Sequence, residues 1–230
     1  MNIVSDFSNL LYPNYCTGCG HLLYKSEMAI CLSCRHQLPK ANFHDQPHNP
    51  VEKIFWGRVP IASATAFLRM PRKGKVHRII HELKYRQNPD AGVALGKLLG
   101  QELTNSQRMS HFDGVVPVPL HPEKLYLRGY NQCERIAFGI SQSMHIPCFS
   151  QALLRTEHSE SQTRKHRYNR WQNVSDLFIV NSEIELCHKH LLLIDDVITT
   201  GATLESCAKA LLEQKGTSVS IAAIAFPIRI

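Results

Sequence analysis

Along most of this 230-residue chain, segments with the hydrophobic spacing of a helix alternate with short apolar segments typical of strands. Val76, Ile79, Ile80 and Leu83 recur at the spacing of one helix face. Residues 191–194 form a continuous apolar run that is typical of a buried parallel strand, and the two acids that follow are expected to end this strand. The same patterns predict strands over 61–68, 115–118, 152–155, 177–180 and 219–226, and helices over 91–103, 132–144 and 203–214. This alternation predicts the α/β class with a mostly parallel sheet, in which ligands bind at the carboxyl ends of strands.

The first 50 residues have a different character. Residues 13–50 are rich in turn-forming residues and cysteine, and the polar stretch 42–50 contains two prolines, which predicts a loop or linker. Apolar residues within 1–12 recur at helical spacing. We therefore predict two domains: an N-terminal helix with a cysteine module over 1–50, and the α/β domain over 51–230.

The chain is basic, with 26 Lys and Arg against 19 Asp and Glu, a net charge of +7. This charge suits an anionic partner such as nucleic acid or a small phosphorylated ligand, although solubility alone explains it equally well. The chain starts without a basic signal region and contains no apolar run long enough to span a bilayer. We therefore predict a cytoplasmic protein that does not insert into the membrane.

Two CxxC pairs, Cys16 with Cys19 and Cys31 with Cys34, are separated by eleven residues. Four thiolates at this spacing predict a closed tetrahedral Zn²⁺ site with a structural role. The alternative is a redox pair or a set of buried thiols. The other cysteines fit no ligand pattern, and we interpret them as small buried hydrophobic residues: Cys133, Cys148, Cys187 and Cys207.

Residues 191–203 read LLLIDDVITTGAT and contain the clearest functional pattern. Consecutive backbone N–H groups at a helix N-terminus favour a phosphate, and here they belong to Thr199, Thr200, Gly201, Ala202 and Thr203. The acids Asp195 and Asp196 would repel that phosphate unless they served another part of the ligand. Ribose hydroxyls held with Mg²⁺ are the natural partner. The alternative is an ordinary strand–helix turn with a threonine cap.

Two further segments are basic. Residues 113–132 run from a strand into a proline-flanked loop that ends in the sequence RGYNQ, and residues 155–173 join two predicted strands. The second segment would close over a pyrophosphate, or it is simply a solvated run of charge. Lys84 ends a predicted helix, where it would reach a phosphate or interact with the helix dipole, the interpretation we favour.

Taken together, the CxxC pairs, PVPL, RGYNQ and DDVITTGAT resemble the ComF family, the homologues of competence protein F, over nearly the whole chain. The resemblance implies a zinc ribbon on a type I phosphoribosyltransferase-like domain. It also implies that Asp195 and Asp196 bind the ribose hydroxyls of phosphoribosyl pyrophosphate, and that residues 199–203 bind its 5′-phosphate. Arg128 would lie in the pyrophosphate-side loop and Arg170 in the flexible loop.

The implied role is the handling of single-stranded DNA in natural transformation, beside proteins of the competence machinery. Aromatic residues among Arg and Lys fit base stacking, namely Tyr126, Tyr130, Tyr168 and Trp171. The first alternative is an active phosphoribosyltransferase in nucleotide or gluconate-linked metabolism, with an unknown acceptor. The second is a non-catalytic regulator. We assign no catalytic side chain, because such a transfer depends on charge stabilisation more than on a protein nucleophile.

Overall fold

The computed structural model describes residues 13–86, 88–156 and 177–228. Its strands are β1 (Ser63–Met70), β2 (Gly114–Pro117), β3 (Leu153–Arg155), β4 (Phe178–Val180), β5 (His190–Val197) and β6 (Ser218–Pro227). Its helices are α1 (Leu32–His36), α2 (Pro50–Phe55), α3 (Lys75–Tyr85), α4 (Pro89–Thr104), α5 (Pro122–Arg128), α6 (Gln132–Met144) and α7 (Ala202–Leu212). The predicted N-terminal helix within 1–12 lies outside the described residues.

The main sheet contains four parallel strands in the order β1-β6-β5-β2. The predicted α/β class with a mostly parallel sheet is therefore confirmed. β5 pairs with β2 only as far as Ile194, opposite Pro117, while it continues beside β6 to Val197. The end of β5 thus projects past β2, and this projection carries Asp195 and Asp196.

Both faces of the sheet are covered, which explains why its strands are almost continuously apolar. One face packs against α3, α4 and α6, and the other against α2, α7 and the hairpin of β3 and β4. Helices α4 and α6 approach closely because their contact contains glycine: a Cβ at Gly96 would lie 2.1 Å from the carbonyl oxygen of Ile136.

The cysteine module packs on α3. Ile30 and Leu38 of the module belong to the same buried cluster as Val76 and Ile79 of that helix. Arg78 of α3 also donates to the carbonyl oxygen of Gly18 at 3.2 Å. The predicted boundary between 1–50 and 51–230 remains a prediction.

Residues 39–49, after the four cysteines, pack along the edge of the sheet. Ala41 donates to the carbonyl oxygen of Phe67 at 2.8 Å, and Arg69 donates to that of Pro39 at 2.9 Å, so this segment runs along β1. Asn49, in the predicted loop 42–50, caps α2 with its side-chain oxygen and donates to the carbonyl oxygen of Ala64 at 2.8 Å. The stretch is a loop, and it is anchored to the core.

Two sequence predictions need correction. The acids do not stop β5, because Asp195 and Asp196 continue the strand to Val197. Residues 122–128, which we expected in a loop, form α5, because Pro122 occupies the first helical turn and the side chain of His121 caps it. Among the helices that the structure describes, none has the length and hydropathy needed to cross a membrane.

Candidate functional site

A cavity of about 580 Å³ opens at the carboxyl ends of the strands. It lies between the last turns of α3, the segment that follows β2, and the end of β5. Asp195, Thr199 and Thr203 line it from the β5 side, and Lys84 lines it from α3. The strand and turn that carry the predicted phosphate-binding residues therefore face one common space, where ligands of parallel α/β sheets bind.

Asp196 is buried, with 4% of its surface exposed, and its carboxylate is paired on both oxygens. Lys84 Nζ lies 2.8 Å from Oδ1, and Gln132 Nε2 donates to Oδ2 at 2.8 Å. Arg128 donates to the other end of the Gln132 amide at 2.8 Å. Lys84 therefore pairs with an acid of the site, a role that the helix-dipole interpretation did not include. Its ammonium compensates a charge that would be costly to bury alone.

Asp195 has different surroundings. Its Oδ1 accepts from the backbone N–H of Asp196 at 2.8 Å and from Cys133 Sγ at 3.3 Å. Burial, and then the nearby charge of Asp196, raise the pKa of Asp195 to about 7. Burial, followed by the charge of Asp195, also raises the pKa of the Cys133 thiol well above its ordinary value, so this thiol remains a donor.

The turn after β5 has the features of a phosphate site. Its capping residue Gly201 adopts a φ of +74°, and α7 begins at the next residue. A Cβ at Gly201 would lie 2.7 Å from Ile54 Cγ2, so only glycine fits between the turn and α2. Thr199, Thr200, Ala202 and Thr203 are exposed. The helix N-terminus therefore presents its unpaired N–H groups to solvent and to the cavity.

Arg58, in the loop after α2, forms hydrogen bonds to the turn that follows β5 and to helix α7. Its guanidinium donates to the carbonyl oxygen of Thr200 at 2.8 Å and to Glu205 Oε2, also at 2.8 Å. Glu205 lies in the first turn of α7 and also accepts from Lys209. Sequence reasoning missed Arg58, because nothing in its local sequence marks a contact with a turn that lies so far along the chain.

The cavity carries more positive than negative groups. The basic or titratable cationic side chains that line it are His77, His81, Lys84, His121, Lys124 and Arg155. Among the lining residues the structure describes, Asp195 is the one acid. Arg128 lies behind Gln132 and contacts the ring of Tyr85, while Arg170 lies outside the described residues. The structure thus brings Asp195 and residues 199 and 203 into one cavity with several cations.

The four predicted zinc ligands lie together. Their Sγ atoms are all within 4.8 Å of one another, and those of Cys19 and Cys31 are 3.7 Å apart. A tetrahedron with zinc–sulfur bonds of about 2.3 Å places its sulfur atoms about 3.8 Å apart, so the cluster fits this ion. Burial acts against ionisation of Cys16, but backbone N–H groups, first that of Cys31, lower the pKa of this thiol to about 7. The module therefore offers four sulfur ligands in a closed set.

Comparisons with known proteins agree with the resemblance that the motifs indicate. No family model matches the chain. DNA utilization protein YhgH of Escherichia coli K12 is 29% identical over 146 residues, which cover 62% of this chain and 63% of YhgH. Competence protein ComFC of Bacillus subtilis is 27% identical over 212 residues, which cover 86% of this chain and 84% of that protein. These similarities support the resemblance of the chain to the ComF family.

Competence protein F of Haemophilus influenzae, a further ComF relative, is 28% identical over 137 residues, which cover 58% of this chain and 60% of the relative. The chain therefore spans less than two thirds of the length of the first relatives it matches. Among solved structures, the glutamine phosphoribosylpyrophosphate amidotransferase of B. subtilis has a TM-score of 0.44 at 20% identity, covering 62% of this chain and 30% of that one. Adenine phosphoribosyltransferase of Leishmania tarentolae has a TM-score of 0.36 at 14% identity, covering 62% and 73%.

Proposed function

We propose that the cavity binds phosphoribosyl pyrophosphate with Mg²⁺, and that the chain acts in DNA uptake by handling single-stranded DNA. One observation carries the first part. Asp195, which adjoins the buried Asp196, and an exposed helix N-terminus, which are chemically opposed, line one cavity. A ligand with vicinal hydroxyls at one end of a ribose and a phosphate at the other satisfies both.

The roles follow from the chemistry of each group. Backbone N–H groups of residues 199–203 would bind the 5′-phosphate, and the hydroxyls of Thr199 and Thr203 would add donors. Asp195 and Asp196 would accept from the ribose hydroxyls. Arg155 lines the cavity where it would neutralise part of the charge of a pyrophosphate. Mg²⁺ would enter with the pyrophosphate and reduce its charge.

The names of the relatives and the positive net charge of the chain support the proposed role with DNA. The relatives are called DNA utilization protein and competence protein. The net charge of +7 favours association with a polyanion. In this proposal the phosphoribosyl pyrophosphate site serves as a ligand or regulatory pocket of a DNA-handling protein.

A thermal-unfolding series with ligand fragments tests the pocket. We expect Mg²⁺ with phosphoribosyl pyrophosphate to raise the melting temperature more than ribose 5-phosphate or inorganic pyrophosphate does, because it engages both ends of the cavity. Asp195→Asn should lose most of this shift. The matched control is Asp90→Asn, an exposed acid in the first turn of α4 that does not line the cavity. No shift with the wild type, or equal shifts with both variants, would overturn the assignment.

The second candidate is an active phosphoribosyltransferase. It is favoured by the arrangement of cations on α3 and around α5, which surrounds the space where a leaving pyrophosphate would lie. Its test is pyrophosphate release from phosphoribosyl pyrophosphate in the presence of each common nucleobase. Release that depends on one base and on Asp195 would favour the transferase, and binding without release would favour the non-catalytic pocket.

A further inference from the structure

Tyr85, at the mouth of the cavity, is an aromatic residue that the site described above does not use. It is the last residue of α3, and 65% of its surface is exposed. It lines the same cavity as Asp195 and directly follows Lys84, which pairs with Asp196. A large ring in this position is open to a ligand that extends out of the cavity.

Although the Tyr85 ring is exposed, contacts with two neighbouring side chains restrict its orientation. The guanidinium carbon of Arg128 lies 5.4 Å from the ring centroid, and Arg128 is itself fixed by its hydrogen bond to Gln132. The imidazole of His81, one turn earlier on α3, lies 4.9 Å from the Tyr85 ring. A planar group that stacks here would therefore immobilise little additional side-chain freedom.

The surrounding charges fit an anionic strand. Lys124 and His81 line the cavity beside the ring, and Arg86 is exposed immediately after it. Two acids oppose them: Glu82, at 3.8 Å from Arg86, and Glu123, at 3.7 Å from His121. A ring flanked by cations is the arrangement that binds an unpaired base together with its phosphates. An apolar protein segment would instead meet a charged rim.

We propose that Tyr85, together with Arg128, stacks a base of single-stranded nucleic acid at the mouth of the cavity, while the backbone phosphates of the strand lie along Lys124 and Arg86. This assignment rests on the proposed handling of single strands and gives that function a location. It also places the strand beside the pocket for phosphoribosyl pyrophosphate, so that the two ligands would meet at the Lys84–Tyr85 step of α3.

The test compares two strands of equal charge, an oligothymidylate of about 15 nucleotides and an abasic strand of the same length, by fluorescence anisotropy at fixed ionic strength. The wild type should bind the oligothymidylate more tightly, because only this strand has bases to stack. Tyr85→Ala should weaken its binding about 10-fold and leave the abasic strand unchanged. Tyr85→Phe, which keeps the ring, should restore the affinity.

The matched control is Tyr24→Ala in the cysteine module, since Tyr24 is 77% exposed and does not line the cavity. Its affinities should equal those of the wild type. Equal binding of both strands by the wild type, or equal losses in the Tyr85 and Tyr24 variants, would overturn the stacking assignment alone. A folded wild type that binds neither strand would overturn it together with the proposed DNA role, while the thermal series reports on the pocket independently.

Discussion

Asp195 and Asp196 are neighbours in sequence, yet the fold gives them different electrostatic surroundings. Asp196 is paired with Lys84 and Gln132, while Asp195 has only hydrogen-bond donors and a raised pKa of about 7. Two like charges so close together cannot both be fully ionised without a cation for each. Before a ligand arrives, Asp195 is therefore the acid that is partly protonated at neutral pH.

The raised pKa of Asp195 predicts a stability that depends on pH. An unperturbed Asp has a pKa of 3.8, so the unfolded chain releases this proton first as the pH rises, and the group destabilises the fold increasingly between about pH 4 and pH 7. Asp195→Asn should therefore gain on the order of 4 kcal/mol in unfolding free energy at about pH 8 and almost nothing near pH 4. Urea unfolding across this range measures the difference. A difference that does not change with pH would contradict the raised pKa.

The ion pair of Lys84 and Asp196 should carry a large energetic effect, because Asp196 is buried. Lys84→Met leaves that carboxylate without its cation and should lower the unfolding free energy by about 3 kcal/mol. The comparison is Lys40→Met, which removes an exposed partner of Glu102 at a similar distance and should change stability by less than about 1 kcal/mol. Similar small effects from both would show that Lys84 does not compensate the buried charge.

The acids and the turn could be predicted from sequence because strand, acids and helix start lie within thirteen consecutive residues. Lys84, Gln132 and Arg58 reach the same site from distant parts of the chain. A pattern read along the sequence says nothing about such contacts. Sequence reasoning could infer only that a second buried acid needs a cationic partner, because a buried charge is costly without one. It could not identify which cation in the chain supplies that partner.

At the level of elements, periodicity located most helices and strands of the α/β domain within a few residues. It failed where local chemistry competes with hydrophobic pattern. α5 has no buried residue, so no apolar stripe marks it, and its proline indicated a loop. β5 continues through two acids because hydrogen bonds to β6, rather than side-chain hydropathy, define its end.

The conformation of the turn between β5 and α7 depends on Gly201. Gly201→Ala should lower the unfolding free energy by about 1 kcal/mol for the left-handed φ, and by more for the overlap with Ile54 and Phe55. Gly57→Ala separates the two effects, because Gly57 has a φ of +71° and nothing lies within 4 Å of its added Cβ. Equal destabilisation of the two variants, measured by urea unfolding, would mean that α2 does not confine the turn.

At the scale of the whole molecule, the cysteine module and the α/β domain share buried residues. Cys16, Ile30 and Cys34 lie in the same cluster as α3, α4 and α6. Loss of metal should therefore affect the helix that carries Lys84 and Tyr85, and not the module alone. The sequence predicted the four ligands from their spacing, whereas the packing of the module on α3 required the three-dimensional structure.

Zinc content tests this arrangement. Purified wild type should contain one Zn²⁺ per chain, and Cys16→Ser should lose it and unfold at a lower temperature, because the remaining three ligands cannot close the tetrahedron. Cys187→Ser is the control, since this half-buried cysteine lies outside the cluster. Elemental analysis that finds full zinc in the Cys16 variant would contradict the four-cysteine site.

The most direct test of the account is calorimetric titration of phosphoribosyl pyrophosphate with Mg²⁺ into the zinc-loaded wild type and a folded Asp195→Asn, Asp196→Asn variant. We predict saturable binding at one site by the wild type and none by the variant at the same concentrations. This result follows from the proposed contacts of the acid pair with the ribose hydroxyls, which would fix the ligand in the cavity. Absence of binding by the folded wild type, or equal binding by the variant, would contradict the proposed site.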